Sequence, residues 1–210
     1  MTRVAGIDIA RGAWLIVYLE DGRFDEAEVV ERLAATVIDA AVIAIDIPLG
    51  LPESSIGRPA EVEARRRLGP RRSSVFSSLP AELYAADYTE EARQDARTRY
   101  GSSYSKQAWN LRSAVFDAAD ARSKAWYETH PELAFSQIAG GPLDSKKRWA
   151  GVRQRLDCLA SVGIDLPAVS GDLHPDDALD AAVCAHVAWR IATGVASRVP
   201  VTGPGPYIWF

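Results

Sequence analysis

Cysteine is nearly missing from this sequence. Cys158 and Cys184 are its two; both stand in helix-like surroundings and neither belongs to a C-x-x-C pair. That composition excludes a disulfide framework and a cysteine zinc site. Long apolar runs are missing too. None approaches the roughly 18 residues of a membrane span, and the opening MTRVAGIDIA has no extended apolar core of the secretory kind. The net charge is −4, so the molecule is no polycation, and any contact with nucleic acid must come from a local basic patch. Internal repeats, low-complexity tracts and a clear interdomain linker are absent as well. The expectation is a reduced, cytoplasmic protein that meets no membrane and shows no obligate protein partner. Its 210 residues, 48% hydrophobic and 25% charged, suit a single domain over 1–210 with a substantial core.

What the sequence does have is aspartate where an apolar residue is expected. AVIAIDIPLG (41–50) is a buried-strand run of Ala, Val and Ile interrupted by Asp46, and VAGIDIA (4–10) repeats the Ile-Asp-Ile triplet around Asp8. The pattern around them is that of an α/β protein. Residues 3–10 and 13–20 read as strands joined by a short RG turn, and DGR (21–23) turns the chain into a third strand at 23–28. Helical spacing at Val30, Leu33, Ala34 and Val37 predicts a helix over 29–40. A fourth strand covers 41–47 and stops at Pro48. Residues about 58–122 read as a helical insertion. A strand at 125–130 follows, then helices over 145–163 and 174–194, ended by Gly163 and Gly194. Three meandering strands followed by crossovers give a mixed five-stranded sheet flanked by helices, with the insertion after the fourth strand.

Side chains alternate along a strand. Asp46 therefore shares a face with Val42 and Ala44, and Asp8 with Gly6 and Ala10, so both acids have mostly small neighbours that leave room beside the carboxylate. On adjacent strands the two would lie close. Unit charges about 5 Å apart repel by roughly 3 kcal/mol at an effective dielectric near 20, and burial adds a desolvation cost. Protonation, a basic partner or a metal cation relieves this. In the last helix Asp177 and Asp180 are three apart and share the apolar face of Ala181, Cys184, Ala188 and Ile191, which directs them at the sheet. Glu132 follows the 125–130 strand and has the reach to join. Plainer roles stand beside these: Asp177 as a partner of the helix dipole, Asp176 as a cap, Glu132 as an ordinary helix-start acid after Pro131, and Asp46 as an acceptor for its own loop.

RRRLGPRRSS gathers Arg65, Arg66, Arg67, Arg71 and Arg72 with Ser73 and Ser74 and no acid among them. Arginine forks match phosphate oxygens; a solvated loop is the bland alternative. Lys106, beside Gln107 behind the N-cap Ser105, is either a substrate contact or part of a capped, solvated helix start. Trp109 and Trp126 read as core, and His130 as an acid–base group or a histidine bonded to backbone.

GIDIARGAW, AVIAIDIPLGLP, RRRLGPRRSSVFSSLP, SKQAWNL, HPELAF and DDALDAAVCA, in this order over nearly the whole chain, resemble a domain-of-unknown-function family described as predicted RNase H-like nucleases. The resemblance implies an RNase H-like fold, in which the first and fourth strands lie side by side and parallel. It also implies a catalytic acid on the first strand at Asp8, another at the end of the fourth at Asp46, and a final-helix acid at Asp180 with Asp177 one turn earlier. The histidine-containing motif around Glu132 has no clear counterpart in the simplest RNase H enzymes. The expected function is a phosphodiesterase dependent on Mg²⁺ or Mn²⁺, with Asp8, Asp46, Asp177, Asp180 and Glu132 as metal ligands and catalytic acids. Arg65, Arg67, Arg71, Arg72, Ser73, Ser74 and Lys106 would contact a nucleic-acid or nucleotide substrate. Two other classes compete: an ATP-dependent phosphotransferase of the actin and sugar-kinase kind, which normally needs a duplicated sheet, and a non-catalytic binding module on the same scaffold.

Overall fold

A computed structural model of the chain describes residues 1–167 and 173–210. Strands β1 (Arg3–Ala10), β2 (Ala13–Glu20) and β3 (Arg23–Val30) form an antiparallel meander. Its turns, Arg11–Gly12 and Asp21–Gly22, have positive φ at both residues, the type I′ geometry whose twist matches the flanking strands. β4 (Val42–Ile45) and β5 (Trp126–Glu128) add parallel to β1, giving the order β3-β2-β1-β4-β5. This is the mixed five-stranded α/β sheet the sequence pattern predicts, with β1 and β4 adjacent.

Between β4 and β5 run helices α1 (Pro59–Leu68), α2 (Ala81–Ala85), α3 (Glu90–Tyr100), α4 (Lys106–Asn110) and α5 (Arg112–Ala121). After β5 come α6 (Pro131–Ala139), α7 (Trp149–Ser161) and α8 (Pro175–Ala192), then a small antiparallel pair, β6 (Arg198–Val199) and β7 (Ile208–Trp209). The alternation of β1 and β4 sorts the core into two clusters. Ala5, Ile7, Ile43, Ile45 and Ile47 face Leu83, Tyr84, Ala96, Ala108 and Val115 from α2–α5. Val4, Ala10 and Ala44 face Ala181, Ala185 and Ala188 of α8, which is itself covered by Leu133 and Phe135 of α6 and Leu159 of α7. Burial on all sides explains why α8 is apolar from Leu179 to Ala188 except at Asp180 and His186. Among the described residues no helix is long and apolar enough to cross a membrane.

The helix expected over 29–40 does not form. Val29 and Val30 instead extend β3 opposite Leu15 and Trp14, as suits β-branched side chains. Leu33–Ala35 make one 3₁₀ turn. Of the periodic set only Leu33 is buried, and Val37 is 93% exposed. The turn is held by Asp117 of α5, which accepts from Trp14 Nε1 at 2.8 Å, Leu33 N at 2.8 Å and Ala34 N at 3.4 Å. Asp117→Ala leaves these donors without their acceptor and should lower stability by about 2 kcal/mol; the shift of the urea midpoint measures it. Three smaller differences follow from local chemistry. α6, absent from the run of expected helices, starts at Pro131 with Glu132 in its first turn, which agrees with the helix-start role given as the plainer reading of Glu132. α7 begins at Trp149, not 145. The C-terminal residues form β6 and β7, which the sequence pattern did not indicate.

Candidate active site

Ile7 of β1 pairs with Ile45 of β4, and the Asp46 N–H donates to the Ile7 carbonyl at 3.1 Å. One step further, Asp8 and Asp46 stand side by side at the carboxyl ends of two parallel strands, where open α/β sheets place their ligands. Both point to the α8 side and line one cavity of about 160 Å³. Asp180, in the second turn of α8, is buried and lines an adjoining cavity of about 510 Å³ together with Asp46, Glu132 and Lys146. Residues far apart in the chain thus converge on one cleft.

The carboxylates perturb one another. Burial pushes Asp8 well above the usual carboxylate range, and the charges of Asp180 and Asp46 push it further. Burial raises Asp46 to about 7; Lys146 pulls it back, while Glu128 and Glu132 act upward. Asp180 is raised to about 6 by burial, against the pull of Lys146, with Asp46 and Glu132 adding to the rise. Lys146 Nζ donates to the Asp180 carboxylate and lies 3.9 Å from Asp176. Burial draws its ammonium down, but Asp180, Asp8 and Asp176 outweigh that and hold it above the ordinary lysine range.

Glu132 also reaches the cleft, already engaged: its Oε1 accepts from Arg155 at 2.7 Å and from Arg71 at 3.3 Å. Arg155 is fully buried and also donates to the carbonyls of Asp144 and Gly151. His130 lines both cavities. Its Nε2 lies 3.2 Å from the Ser74 carbonyl, its Nδ1 has no hydrogen-bond partner among the described residues, and burial lowers its pKa. Nε2 is the ring nitrogen placed to donate to the Ser74 carbonyl, which leaves Nδ1 without a partner among the described residues. Beside Asp46 a second ionic group holds the insertion to the sheet: Arg58 forks onto Glu128 at 2.5 and 2.8 Å and reaches Glu61 at 2.8 Å.

The basic segment divides. Arg71, Ser73 and Ser74 line the cleft. Arg65 is turned to the Val75 carbonyl and Ser77 Oγ, and Arg67 to Glu63 and the Phe210 ring. Arg72 is exposed. Lys106, in the first turn of α4, and Asp177, raised by burial and by Asp176, are not among the residues lining either cavity. Lys146, Arg58, Glu61, Glu128 and Arg155 carried no sequence signal of their own, since each matters through a partner distant in the chain. A glutamate alternating inside the strand AWYETH was the one available hint.

Among the described residues no three His, Cys, Asp or Glu side chains form a group that holds a metal ion as they stand. The donor chemistry nevertheless fits a hard divalent cation. Asp8 and Asp46 offer only carboxylate oxygen, and their enclosure and mutual repulsion are relieved by positive charge. Mg²⁺ needs one or two carboxylates and completes its shell with water and phosphate oxygen.

A family model described as Protein of unknown function (DUF429) matches residues 6–203. The chain belongs to DUF429. No curated protein and no solved structure matches it. Asp8, Asp46, Glu132, Asp177 and Asp180 all lie within the matched span of this DUF429 chain, and β7 lies beyond it.

Proposed function

We propose that this DUF429 protein is a nuclease, a divalent-metal-dependent phosphodiesterase with an RNase H-like site. The observation that supports it is the pairing of Asp8 with Asp46 at the ends of parallel strands, with Asp180 brought in by α8. Asp8 and Asp46, with Asp180, would hold Mg²⁺ or Mn²⁺, which supplies charge neutralisation and a more acidic water in phosphoryl chemistry. Arg71 and Ser73 offer donors to phosphate oxygens across the cleft. Lys146 neutralises Asp180, and its flexible four-carbon stem lets the ammonium turn toward a phosphate. His130 presents a ring nitrogen, Nδ1, with no hydrogen-bond partner among the described residues.

The test is incubation with labelled RNA, DNA, hybrid and junction substrates in Mg²⁺ or Mn²⁺, then in excess chelator. Cleavage that the chelator stops is expected. No cleavage, and no metal-induced change in melting, would leave a binding scaffold in its place. Binding also has a pH signature. Protons compete with a cation for carboxylates, and Asp46 and Asp180 are raised to about 7 and about 6. A saturating ion, near 100 times its Kd, should stabilise the fold by about 2.7 kcal/mol at pH 8 and by much less at pH 5, read by thermal melting at both pH values.

A further inference from the structure

A second groove opens on the outer edge of the sheet, where β5 is the last strand in the order. It encloses about 480 Å³ between the end of the insertion and the C-terminal hairpin. Four rings line it, Trp126, Tyr127, Tyr207 and Trp209, and the last three touch one another. Tyr127 meets Trp209 edge to face at 5.6 Å, and Trp209 meets Tyr207 at 6.3 Å. All three are half-buried, so each keeps ring surface toward the groove. Arg198 lies over Tyr207 at 3.9 Å and Trp209 at 5.2 Å, and the exposed Arg122 and Lys124 also line the groove. Among the described residues the one carboxylate lining the groove, Glu128, is buried and bound by Arg58. The groove is therefore cationic and aromatic, unlike the acidic cleft.

The two are neighbours by construction. Glu128 lines both. Along β5 and its continuation, Tyr127 lines the groove while Thr129 and His130 line the cleft; along β7, Trp209 lines the groove and Ile208 the cleft. Ring faces left open between edge-to-face aromatics, with cations beside them, are the surface on which unpaired bases stack and their phosphates bind with little sequence preference. A duplex keeps its bases stacked on each other and has none to offer such rings. We infer that this groove binds single-stranded nucleic acid, delivering the strand to the acidic cleft; the delivery rests on the function proposed above, the binding does not.

The probe is fluorescein-labelled oligothymidylate of about 15 nucleotides, the upper range of such a groove, followed by anisotropy in chelator so that nothing is cut. The full chain should bind it better than the matching duplex. Tyr207→Ala should weaken binding about tenfold while Tyr207→Phe retains it. Arg122→Ala with Lys124→Ala should reduce the slope of log affinity against log salt by about 1.4, the change expected for two lost single-strand phosphate contacts. Arg122 and Lys124 are exposed and Tyr207 is half-buried, and circular dichroism checks that each variant folds. No binding by wild type, equal binding of duplex, or unchanged binding by the variants overturns the inference. Retained binding in the groove variants alongside metal-dependent cleavage would sink the groove and keep the nuclease. Binding lost in the variants with no cleavage by wild type would do the reverse.

Discussion

If the proposed nuclease reading holds, Asp8→Asn and Asp46→Asn should each lower metal-dependent hydrolysis by about 10²–10³-fold or more, and each should make the metal-free protein more stable at pH 8. The two effects have one cause. The carboxylates are enclosed and crowded, which raises Asp46 to about 7 and Asp8 well above the usual range. A carboxyl whose folded pKa lies above its unfolded value contributes stability that is fully present below the unfolded pKa, near 3.8 for an aspartate. That contribution is lost as pH rises through the folded pKa, here about 7 for Asp46. At pH 8 wild type has lost it, on the order of a few kcal/mol before relaxation of the site. The amide cannot ionise, keeps the shape and avoids the repulsion. Urea titrations in chelator at pH 5 and pH 8 should show wild type losing stability across that window and Asp46→Asn losing less. If the acids were instead favourable core hydrogen-bonders, the substitutions would destabilise at pH 8. Hydrolysis that survives either change would place the chemistry at another centre. Sites kept at the expense of fold stability are the usual signature of function.

Much of this arrangement was legible because it depends on short periods. Alternation along AVIAIDI and VAGIDIA sets which face of its strand each of Asp46 and Asp8 shares; that β1 and β4 are neighbours, as they are, was implied by the family resemblance and not by the short periods. The three-residue spacing of Asp177 and Asp180 indicated an inward face, and Asp180 is buried. What was not legible depends on pairing between distant segments. Lys146 meets Asp180 across 34 residues and Arg58 meets Glu128 across 70; SKKR and IGRPAE carry no mark of either. Arg65 and Arg67 looked equivalent to Arg71 in the basic run, yet the helical turn of α1 sends them to Ser77 and Glu63 while the 3₁₀ turn after it leaves Arg71 at the cleft. At 29–40 the helical period lost to strand pairing and to the acceptor at Asp117.

The small residues beside Asp8 carried a different meaning from the one the pattern suggested, and Gly6→Ala tests it. Gly6 shares Asp8's face, but the space over it is filled by the backbone of α8. A Cβ there would lie 1.9 Å from Ala185 N, 2.3 Å from the Ala181 carbonyl oxygen and 2.6 Å from Ala185 Cα. None of these atoms belongs to a flexible side chain that can swing aside. α8 cannot retreat either, because Leu133, Phe135 and Leu159 are packed around it in the same core. Interiors are close-packed, so the displacement spreads. Gly6→Ala should therefore cost about 3 kcal/mol or more, the upper range of overpacking. Gly141→Ala, where nothing lies within 4 Å of the added carbon, should be near neutral in the same urea titration. The functional consequence is separable from the loss of stability. Asp180 directly precedes Ala181, so any outward shift of α8 carries Asp180 and its Lys146 partner away from Asp8. The folded fraction of Gly6→Ala should then hydrolyse its substrate more slowly than its population alone explains, and Asp8 should feel one negative neighbour less. An unfolding midpoint equal to that of Gly141→Ala would mean that α8 does not rest on β1 at this point. The convergence of Asp180 with the strand acids would then lose its structural basis.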